Sequence, residues 1–532
     1  MPCQCLYHSA SWLSQLWRQM GESVGIEDQG IIWQSVTDEG GSDRPATGQS
    51  RVSSDTDEYR HKKSAASRRT LIKNGFLYTA GLDDRVIEKA WILIEGKKIA
   101  AIGDMHSALP ACDEEVDAAG KMILPGFVNP HWHESYVAPN MEKSDDSDVA
   151  PTPYARGGDI AALGSMFGFI SGVGQKMTFE EGLAIARWSM WTQLRSGSTA
   201  LGDLGSANRA DSMGQAALDL GMRLRVSRWG SDIMLPANSK HFERVADTQI
   251  QADGWRELLE AWHDHPSGLV GGMPSVVGAF GSSNEQLQML SDIVHQYQTP
   301  YAAHLAPLKN EREAVQRVFG RSPVERFDDY GLLTDRLVAV HTAYATETEY
   351  HRLLETGVNI CHSPAHYGML GEATNSETRQ IARFLKDGVW VSSSTDGDII
   401  FSGGMAEAMR GAHLGHNEAN NCNTTCPPLL ALKTGSLYGA KALGWLERIG
   451  SVEVGKEADI VLVDTRDYRY LMSQHPLRTF LITGNSKDVD TVFVQGVKLI
   501  EGGRSCTLDE QKLYQDYLLA AASVRQRLGA KP

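Results

Sequence analysis

Two histidines separated by a single residue open the part of this chain whose residue types can do chemistry. His131 and His133 lie in the segment ILPGFVNPHWHES, where an apolar run follows a Pro-Gly turn. Side chains at positions i and i+2 of a β-strand point to the same face, so both imidazoles can reach one metal ion while Trp132 turns away. The pair fits a polar turn without a ligand equally well, so its assignment depends on residues elsewhere in the chain.

Three more polar residues end apolar runs later in the chain. They are His304 in PYAAHLAP, His341 in RLVAVHTAY and Asp396 in VWVSSSTDGD. A buried strand end that carries an imidazole or a carboxylate needs a partner, and one shared metal ion would serve all of them. Each residue taken alone is equally well explained as a hydrogen-bonded structural residue. The set as a whole predicts a metal site.

The elements that must position these residues indicate an α/β domain. From Ile123 to Leu446, short apolar runs alternate with segments of helical period, which is the pattern of repeated β-α units on a parallel sheet. In a β/α barrel, ligands gather at the carboxyl ends of the strands. Three pairs match the capping box that begins a helix: Thr178 with Glu181, Ser282 with Glu285, and Thr346 with Glu349.

Short β-rich segments flank this α/β region on both sides. TLIKNGFLYTAG and WILIEGKKIAAIG precede it, and IGSVEVGKEADIVLVD and DTVFVQGVKLIEGG follow it, so the two pieces could join into one domain. The predicted order is a disordered extension over 1–68, the first segment of the β-domain over 69–124, the α/β domain over 125–449, the second segment of the β-domain over 450–505, and a C-terminal amphipathic helix within 506–532.

Five motifs, taken in order, resemble barrel strands of the amidohydrolase superfamily, and the resemblance extends roughly from Thr70 to Gly503. They are LPGFVNPHWH for the first strand, AHLAP for the fifth, VHTAYATETE for the sixth, GVNICHSPAHYGMLG for the seventh and STDG for the eighth. The deaminase and chlorohydrolase branch, with adenosylhomocysteine deaminase, guanine deaminase and s-triazine hydrolases, is the most similar part of the superfamily. The resemblance implies a (β/α)8 TIM-type barrel with a small β-sandwich domain built from segments before and after the barrel.

The resemblance also implies four ligands to a divalent metal ion: His131, His133, His304 and Asp396. Two-metal members carry a bridging carboxylated lysine on the fourth barrel strand. We assign TALGDLG to that strand, and it contains Asp203 but no lysine. We therefore expect one ion, with zinc favoured over iron, manganese or cobalt. The glycine-rich segments lack the GxGxxG and GxxxxGK arrangements, so we expect no nucleotide cofactor.

Catalytic roles follow from the same resemblance. The metal would lower the pKa of its water to about 7, Asp396 would take the proton and pass it to the leaving group, and His341 would orient the water or stabilise developing negative charge. We expect Tyr154, His362 and His366 to line the substrate pocket. The segment over 135–174, rich in Gly, Pro and Asp, is interpreted either as a lid or as a merely solvated excursion.

One position departs from the branch pattern. Ring deaminases carry a glutamate three residues after the fifth-strand histidine, where it protonates a ring nitrogen, whereas this chain has Pro307. Proline cannot transfer a proton, and Glu311 and Glu313 fall in what is predicted to be the next helix.

We therefore predict hydrolysis of a non-peptide carbon–nitrogen bond in an amide, urea, carbamate or amino-heterocycle; molinate and phenylurea hydrolases, which the chain also resembles, have related chemistry. A ring deaminase or dechlorinase of purines or triazines is the alternative enzyme. A non-catalytic barrel that acts only as a binding module is the alternative from another class.

Composition limits the partners and the compartment. A formal net charge of −15 and the absence of a basic stripe disfavour nucleic acid. Seven cysteines, an odd number scattered over a long chain, favour a reducing cytoplasm, and no apolar run reaches the roughly 18 residues of a membrane span. We expect a small-molecule substrate, and the resemblance implies a homo-oligomer.

Overall fold

The computed structural model describes residues 68–134, 160–161, 164, 172–205, 207–370, 373–397, 404–471 and 473–527. The chain divides into two compact units, Met1–Arg60 and His61–Pro532, and all of the described residues belong to the second. Apart from Arg68, the predicted extension over 1–68 lies outside the described residues, as do Tyr154 and most of the predicted lid.

The described strands are numbered in chain order: β1 Arg69–Tyr78, β2 Val86–Glu95, β3 Lys98–Asp104, β4 Glu114–Asp117, β5 Lys121–Pro125, β6 Phe127–His133, β7 Ser198–Asp203, β8 Arg223–Val226, β9 Trp229–Gly230, β10 Ile233–Met234, β11 Glu243–Arg244, β12 Val270–Gly272, β13 Ser275–Gly278, β14 Tyr301–Leu305, β15 Leu337–His341, β16 Asn359–His362, β17 Ser392–Ser393, β18 Asp396–Gly397, β19 Ile460–Asp464, β20 Val489–Val494, β21 Val497–Glu501 and β22 Arg504–Ser505.

The described α-helices are α1 Phe179–Arg195, α2 Ala210–Leu220, α3 Thr248–Trp262, α4 Asn284–Tyr297, α5 Glu311–Phe319, α6 Pro323–Asp329, α7 Glu347–Thr356, α8 Pro364–Leu370, α9 Gln380–Lys386, α10 Met405–Ala419, α11 Pro428–Thr434, α12 Leu437–Ala442, α13 Tyr468–Leu471, α14 Pro476–Thr483 and α15 Glu510–Arg527. Short 3-10 helices cover Ala279–Gly281 and Ser486–Asp488. None of the described helices combines the length and apolarity needed to cross a bilayer.

Two parallel sheets carry the candidate site residues. Their strand orders are β12-β8-β7-β6-β18 and β17-β16-β15-β14-β13-β9. Helices connect successive strands, as α1 does between β6 and β7 and α4 between β13 and β14. Because all pairs in these two sheets are parallel, the carboxyl ends of neighbouring strands lie along the same edge.

The assignment of TALGDLG to the fourth strand is wrong. Residues 198–203 form β7, which follows β6 in the chain and pairs with it, so this is the second strand of the parallel set. The fourth strand of the parallel set is formed by β12 and β13, and residues 270–278 also contain no lysine. The true fourth strand thus also lacks a bridging lysine, and the expectation of a single metal ion is unchanged.

Local capping explains where several helices begin. Thr178 with Glu181 and Thr346 with Glu349 form the predicted capping boxes at α1 and α7. The third prediction is wrong by one residue, because the hydroxyl of Ser283, rather than that of Ser282, accepts the backbone N–H that begins α4.

The segments before and after the parallel sheets share one mixed sheet, ordered β22-β21-β20-β19-β5-β1-β2-β3 with β4 beside β1. The junction is the antiparallel pair of β19 with β5, in which Ile460 faces Pro125. Buried Ile72 and Ile123 from the first segment lie in the same apolar cluster as Phe493 from the second. Burial of this shared core holds together segments that are far apart in the chain.

A buried ion network ties this mixed sheet to the parallel strands. Arg223 at the start of β8 is fully buried and donates to the carboxylates of Asp459 (Nε–Oδ2 2.7 Å) and Glu457 (Nη2–Oε2 2.6 Å). A buried guanidinium is tolerated only when it is paired in this way.

The C-terminal helix α15 packs on α1, with the ring of Tyr517 stacked near that of Trp188. Arg527 donates from Nη1 (2.7 Å) and Nη2 (2.5 Å) to the two carboxylate oxygens of Glu181, and Ser523 Oγ donates to one of them (2.7 Å). The Arg527 guanidinium lowers the pKa of Glu181 to about 2. Glu181 therefore caps α1 and anchors α15 at once.

We predict that Glu181→Gln weakens the docking of α15 by about 1 kcal/mol at pH 7, because a partly exposed charge pair is lost. The folded-state pKa lies below that of the unfolded chain, so the stabilisation is fully present above pH 4.5 and is lost as the pH falls towards about 2. Hydrogen exchange of the α15 amides measures the opening free energy. Glu180→Gln, at the exposed neighbouring position, should change it little; equal exchange in both variants would contradict the anchor.

Candidate active site

Residues from four strands of the parallel sheets meet at the carboxyl ends of those strands. His131 and His133 lie on β6, His304 lies on β14, His341 ends β15 and Asp396 begins β18. Strand register brings them together, since Leu305 is aligned with His341 and Gly397 with His133. The rings of His131 and His304 lie 5.4 Å apart between centroids, which joins the edges of the two sheets at this point.

The Asp396 carboxylate lies at the centre of the cluster. Its Oδ1 is 3.5 Å from Nε2 of His131 and 3.6 Å from Nε2 of His133, and these two nitrogens are 3.0 Å apart. Its Oδ2 is 3.5 Å from Nε2 of His341 and 3.8 Å from Nε2 of His366. Four imidazoles therefore surround one carboxylate.

His304 is oriented by the backbone of the neighbouring strand β13. Its Nδ1 lies 2.6 Å from the carbonyl oxygen of Val277. A carbonyl can only accept, so Nδ1 carries the proton and Nε2 keeps its lone pair. The ring stacks at 5.3 Å on that of His341 and at 5.5 Å on that of His133, which places it within the cluster.

Burial sets the ionisation of these groups. It lowers the pKa of His133 to about 3 and holds the pKa values of His131, His304 and His341 below their usual range. Burial also acts to raise the pKa of Asp396, but the surrounding imidazoles, His366 first, hold it well below its usual value. At neutral pH the four strand histidines, His131, His133, His304 and His341, are therefore neutral and the Asp396 carboxylate is ionised.

This donor set fits a divalent metal ion. The ligand atoms of His131, His304 and His341 lie within 4.8 Å of one another, and so do those of His131, His133 and Asp396. Neutral imidazole nitrogens and a carboxylate oxygen are the ligands preferred by zinc and similar ions. A cation would also balance the buried Asp396 charge, which neutral imidazoles cannot do.

The predicted pocket residues His366 and His362 have different neighbours. His366 lies on α8, and its Nε2 is 3.8 Å from Oδ2 of Asp396. His362 is turned towards Thr374, with Nε2 3.1 Å from its hydroxyl, and stacks on Tyr367. Tyr154 lies outside the described residues.

Four neighbours of the cluster were missed by the sequence reasoning. The Trp229 ring lies edge-on to His133 at 5.4 Å, and the Tyr367 ring lies edge-on to His341 at 4.7 Å. Buried Glu134 follows His133 directly, and Ser363 Oγ is 3.4 Å from Nδ1 of His131. The rule that found the histidines selects polar residues that end apolar runs, so it passes over Trp229, an aromatic residue that follows Ser227 and Arg228.

The region after His304 contains the departure noted in the sequence. Pro307 is buried. Glu313 is exposed and pairs with Arg317, so it is not available to the cluster. Glu311 is fully buried, and burial, reinforced by the Glu349 carboxylate, raises its pKa well above the usual range.

The Amidohydrolase family model matches residues 122–499. This chain belongs to the amidohydrolase family. A 5-methylthioadenosine/S-adenosylhomocysteine deaminase of Thermoanaerobacter pseudethanolicus is 26% identical over 463 residues, covering 86% of this chain and 99% of that protein. The enzyme of the same name from Desulforudis audaxviator is 28% identical over 457 residues, covering 83% and 96%.

Solved structures show the same fold. Triazine hydrolase from Arthrobacter aurescens superimposes with a TM-score of 0.75 at 22% identity, covering 86% of this chain and all of that one. A zinc-bound adenosine deaminase from Xanthomonas campestris gives a TM-score of 0.73 at 22% identity, covering 86% and 99%. The fold is of the TIM-barrel type, and this amidohydrolase is a metal-dependent hydrolase acting on carbon–nitrogen bonds other than peptide bonds.

We predict that the purified protein, loaded with zinc and dialysed, retains one ion per chain and that the double variant His131→Ala/His133→Ala retains none, because the cluster loses two adjacent donors. Elemental analysis measures the stoichiometry. His351→Ala removes an exposed histidine that pairs with Glu347 and should keep the full metal content. Full retention in the double variant would contradict a site at this cluster.

Proposed function

We propose that this chain is a mononuclear metallohydrolase that uses water to cleave an exocyclic carbon–nitrogen bond of a small molecule: an amide, urea, carbamate or amino-heterocycle. The observation that carries the proposal is the convergence of the His131 and His133 nitrogens, 3.0 Å apart, on one Asp396 carboxylate. The proposed ligands are those two histidines with His304 and Asp396. Zinc is the proposed ion, supported by the N/O donor set and by the zinc-bound neighbour.

Asp396 and His341 are the proposed proton-handling residues. When bound, the ion supplies Lewis acidity that makes water a nucleophile near neutral pH. Asp396, ionised at neutral pH, can accept a proton from the attacking water and return it to the leaving nitrogen. The Nδ1 of His341 is buried without a hydrogen-bond partner among the described residues, which favours a proton on Nε2, where it can be donated to a developing oxyanion.

Pro307 supports hydrolysis of an amide, urea or carbamate in preference to removal of an amino group from a heteroaromatic ring carbon. Attack on a ring carbon is helped by an acid that protonates the neighbouring ring nitrogen, and the residue three positions after His304 cannot supply one. Cleavage of an amide, urea or carbamate needs only polarisation of a carbonyl and protonation of the leaving nitrogen. Asp396 can protonate the leaving nitrogen with the proton that it accepts from water.

Ring deamination is the second candidate, and the names of the relatives favour it, since two of them are 5-methylthioadenosine/S-adenosylhomocysteine deaminases. It would require an acid from another position, and the buried Glu311 carboxyl, whose pKa burial raises, is the candidate for that role. A purely binding role is disfavoured, because the proposed metal ligands and the proposed proton-handling residues Asp396 and His341 are all present.

We also propose that the parallel strands close into one barrel and that the mixed sheet forms a β-sandwich. β17 pairs with β16 and β18 pairs with β6, and β17 and β18 follow each other directly within residues 392–397. This segment therefore links the two parallel sheets, which supports closure into a single (β/α)8 barrel. The shared core of the mixed sheet supports a β-sandwich. We propose domain bounds of 69–124 and 450–505 for the sandwich, 125–449 for the barrel and 506–532 for the C-terminal segment.

We further propose a cytoplasmic homo-oligomer. None of the cysteines in the described part of the chain forms a disulfide, which is compatible with a reducing compartment. Light scattering of the purified chain tests the oligomer, and a single-chain mass would contradict it.

We predict carbon–nitrogen hydrolysis by the zinc-loaded protein on a panel of amides, ureas, carbamates, aminotriazines and aminopurines, followed by mass spectrometry and amine or ammonia release. Asp396→Asn should lower turnover on any active substrate by about 10³-fold, because the proton acceptor is lost. His351→Ala should retain activity. No turnover of any panel member after zinc, iron, manganese or cobalt is restored would contradict the proposal.

Glu311→Gln separates the two candidate reactions. If the chain hydrolyses amides, ureas or carbamates, kcat on them should change less than about threefold, while a ring deaminase that uses Glu311 as its acid should lose about 10²-fold on aminopurines. Glu313→Gln, at the exposed position, is the matched control. Turnover of aminopurines that is lost in Glu311→Gln, with no turnover of amides, ureas or carbamates, would overturn the preference for carbonyl substrates.

A further inference from the structure

A cavity of about 400 Å³ lies at the edge of the parallel strands opposite the candidate active site. Its walls come from their amino-terminal side: Arg225 lies on β8, Val270 begins β12, and Pro300 and Arg336 directly precede β14 and β15. The candidate metal ligands lie at the other end of β14 and β15. A five-residue strand is about 16 Å long, so the two sites are separate.

Arg225 is a buried cation without a carboxylate partner. Its exposed fraction is 8%. Its Nε donates to the carbonyl oxygen of Leu443 (2.9 Å) and its guanidinium lies over the Trp445 ring at 4.6 Å, but within the described ranges neither Nη atom has a hydrogen bond and no carboxylate is in ion-pair distance. Burial, followed by the nearby Arg448, lowers the pKa of Arg225 to about 10, which leaves it charged at neutral pH.

The contrast with Arg223, two residues earlier on the same strand, shows what is missing. Arg223 is also buried, and it is held by Asp459 and Glu457. A buried guanidinium normally requires such counter-charges. The neighbouring strand β12 leaves space for the Arg225 guanidinium, because a Cβ on Gly271 would collide with Nη1 of Arg225.

Other cations line the same cavity. Arg336 donates from Nη1 to the amide oxygen of Gln298 (2.6 Å) and has no carboxylate partner in the described part of the chain. Arg448 shares its charge with Glu457 (Nε–Oε1 2.8 Å). Asp264 is the carboxylate among the lining residues, and 93% of its side chain is exposed. This cavity is therefore locally positive in a chain whose formal net charge is −15.

We propose that this cavity binds a small phosphate-bearing anion. The two unpaired guanidinium charges match a dianion, and the planar donor forks of arginine suit the oxygen atoms of a phosphate group. A volume of about 400 Å³ is within the range of metabolite sites and too small for a strand of nucleic acid or a folded partner. The binding provides the counter-charge that Arg225 lacks within the protein.

The test is a titration of the full-length protein with inorganic phosphate at constant ionic strength, followed by calorimetry and by the shift of the melting temperature. We expect saturable binding that raises the melting temperature, and at least about tenfold weaker binding in Arg336→Gln, since one charged hydrogen-bond donor is lost. Arg352→Gln removes a partly exposed arginine that pairs with Asp328 and should bind phosphate like the unmodified chain.

Two further arms locate and define the site. His131→Ala should retain phosphate binding, because the cavity lies away from the metal cluster. Arg225→Met tests the central residue, and Arg336→Gln keeps the test decisive if that variant does not fold. Unsaturable binding, equal binding in Arg336→Gln or loss of binding in His131→Ala would overturn the proposal.

Discussion

The buried negative charge of Asp396 is the constraint on which the candidate active site depends. The carboxylate lies among imidazoles contributed by β6, β15 and α8, and burial keeps the strand imidazoles neutral. Neutral rings solvate an anion only in part, so the cluster needs a cation. Placing a divalent ion there satisfies the carboxylate and uses the lone pairs of the histidines, which explains why these side chains share one strand edge.

The parallel sheets are what make this cluster possible. Residues that are far apart in the chain become neighbours because each follows or ends a buried strand and all of the strands run in the same direction. The mixed sheet and α15 contribute no side chain to the cluster among the residues described. They stabilise the parallel strands from outside, through the Arg223 network on one side and the Glu181 contacts on the other.

Much of the cluster could be predicted from the sequence, since His131, His133, His304, His341 and Asp396 each end or follow an apolar run. The strand number of Asp203 could not be predicted reliably, because counting strands requires knowing which apolar runs pair, and pairing is a long-range property. Trp229 and Tyr367 were missed because their contacts are ring-to-ring across different elements, which no local period reveals. The shift from Ser282 to Ser283 reflects two adjacent serines with the same capping chemistry.

The central claim is that one divalent ion is bound among these side chains. Anomalous diffraction at the zinc absorption edge, from crystals of the zinc-loaded protein, tests it most directly. We predict a single strong peak per chain, within coordination distance of His131, His133, His304 and Asp396. Two peaks in this cluster, a peak elsewhere in the chain, or no peak here would contradict the account.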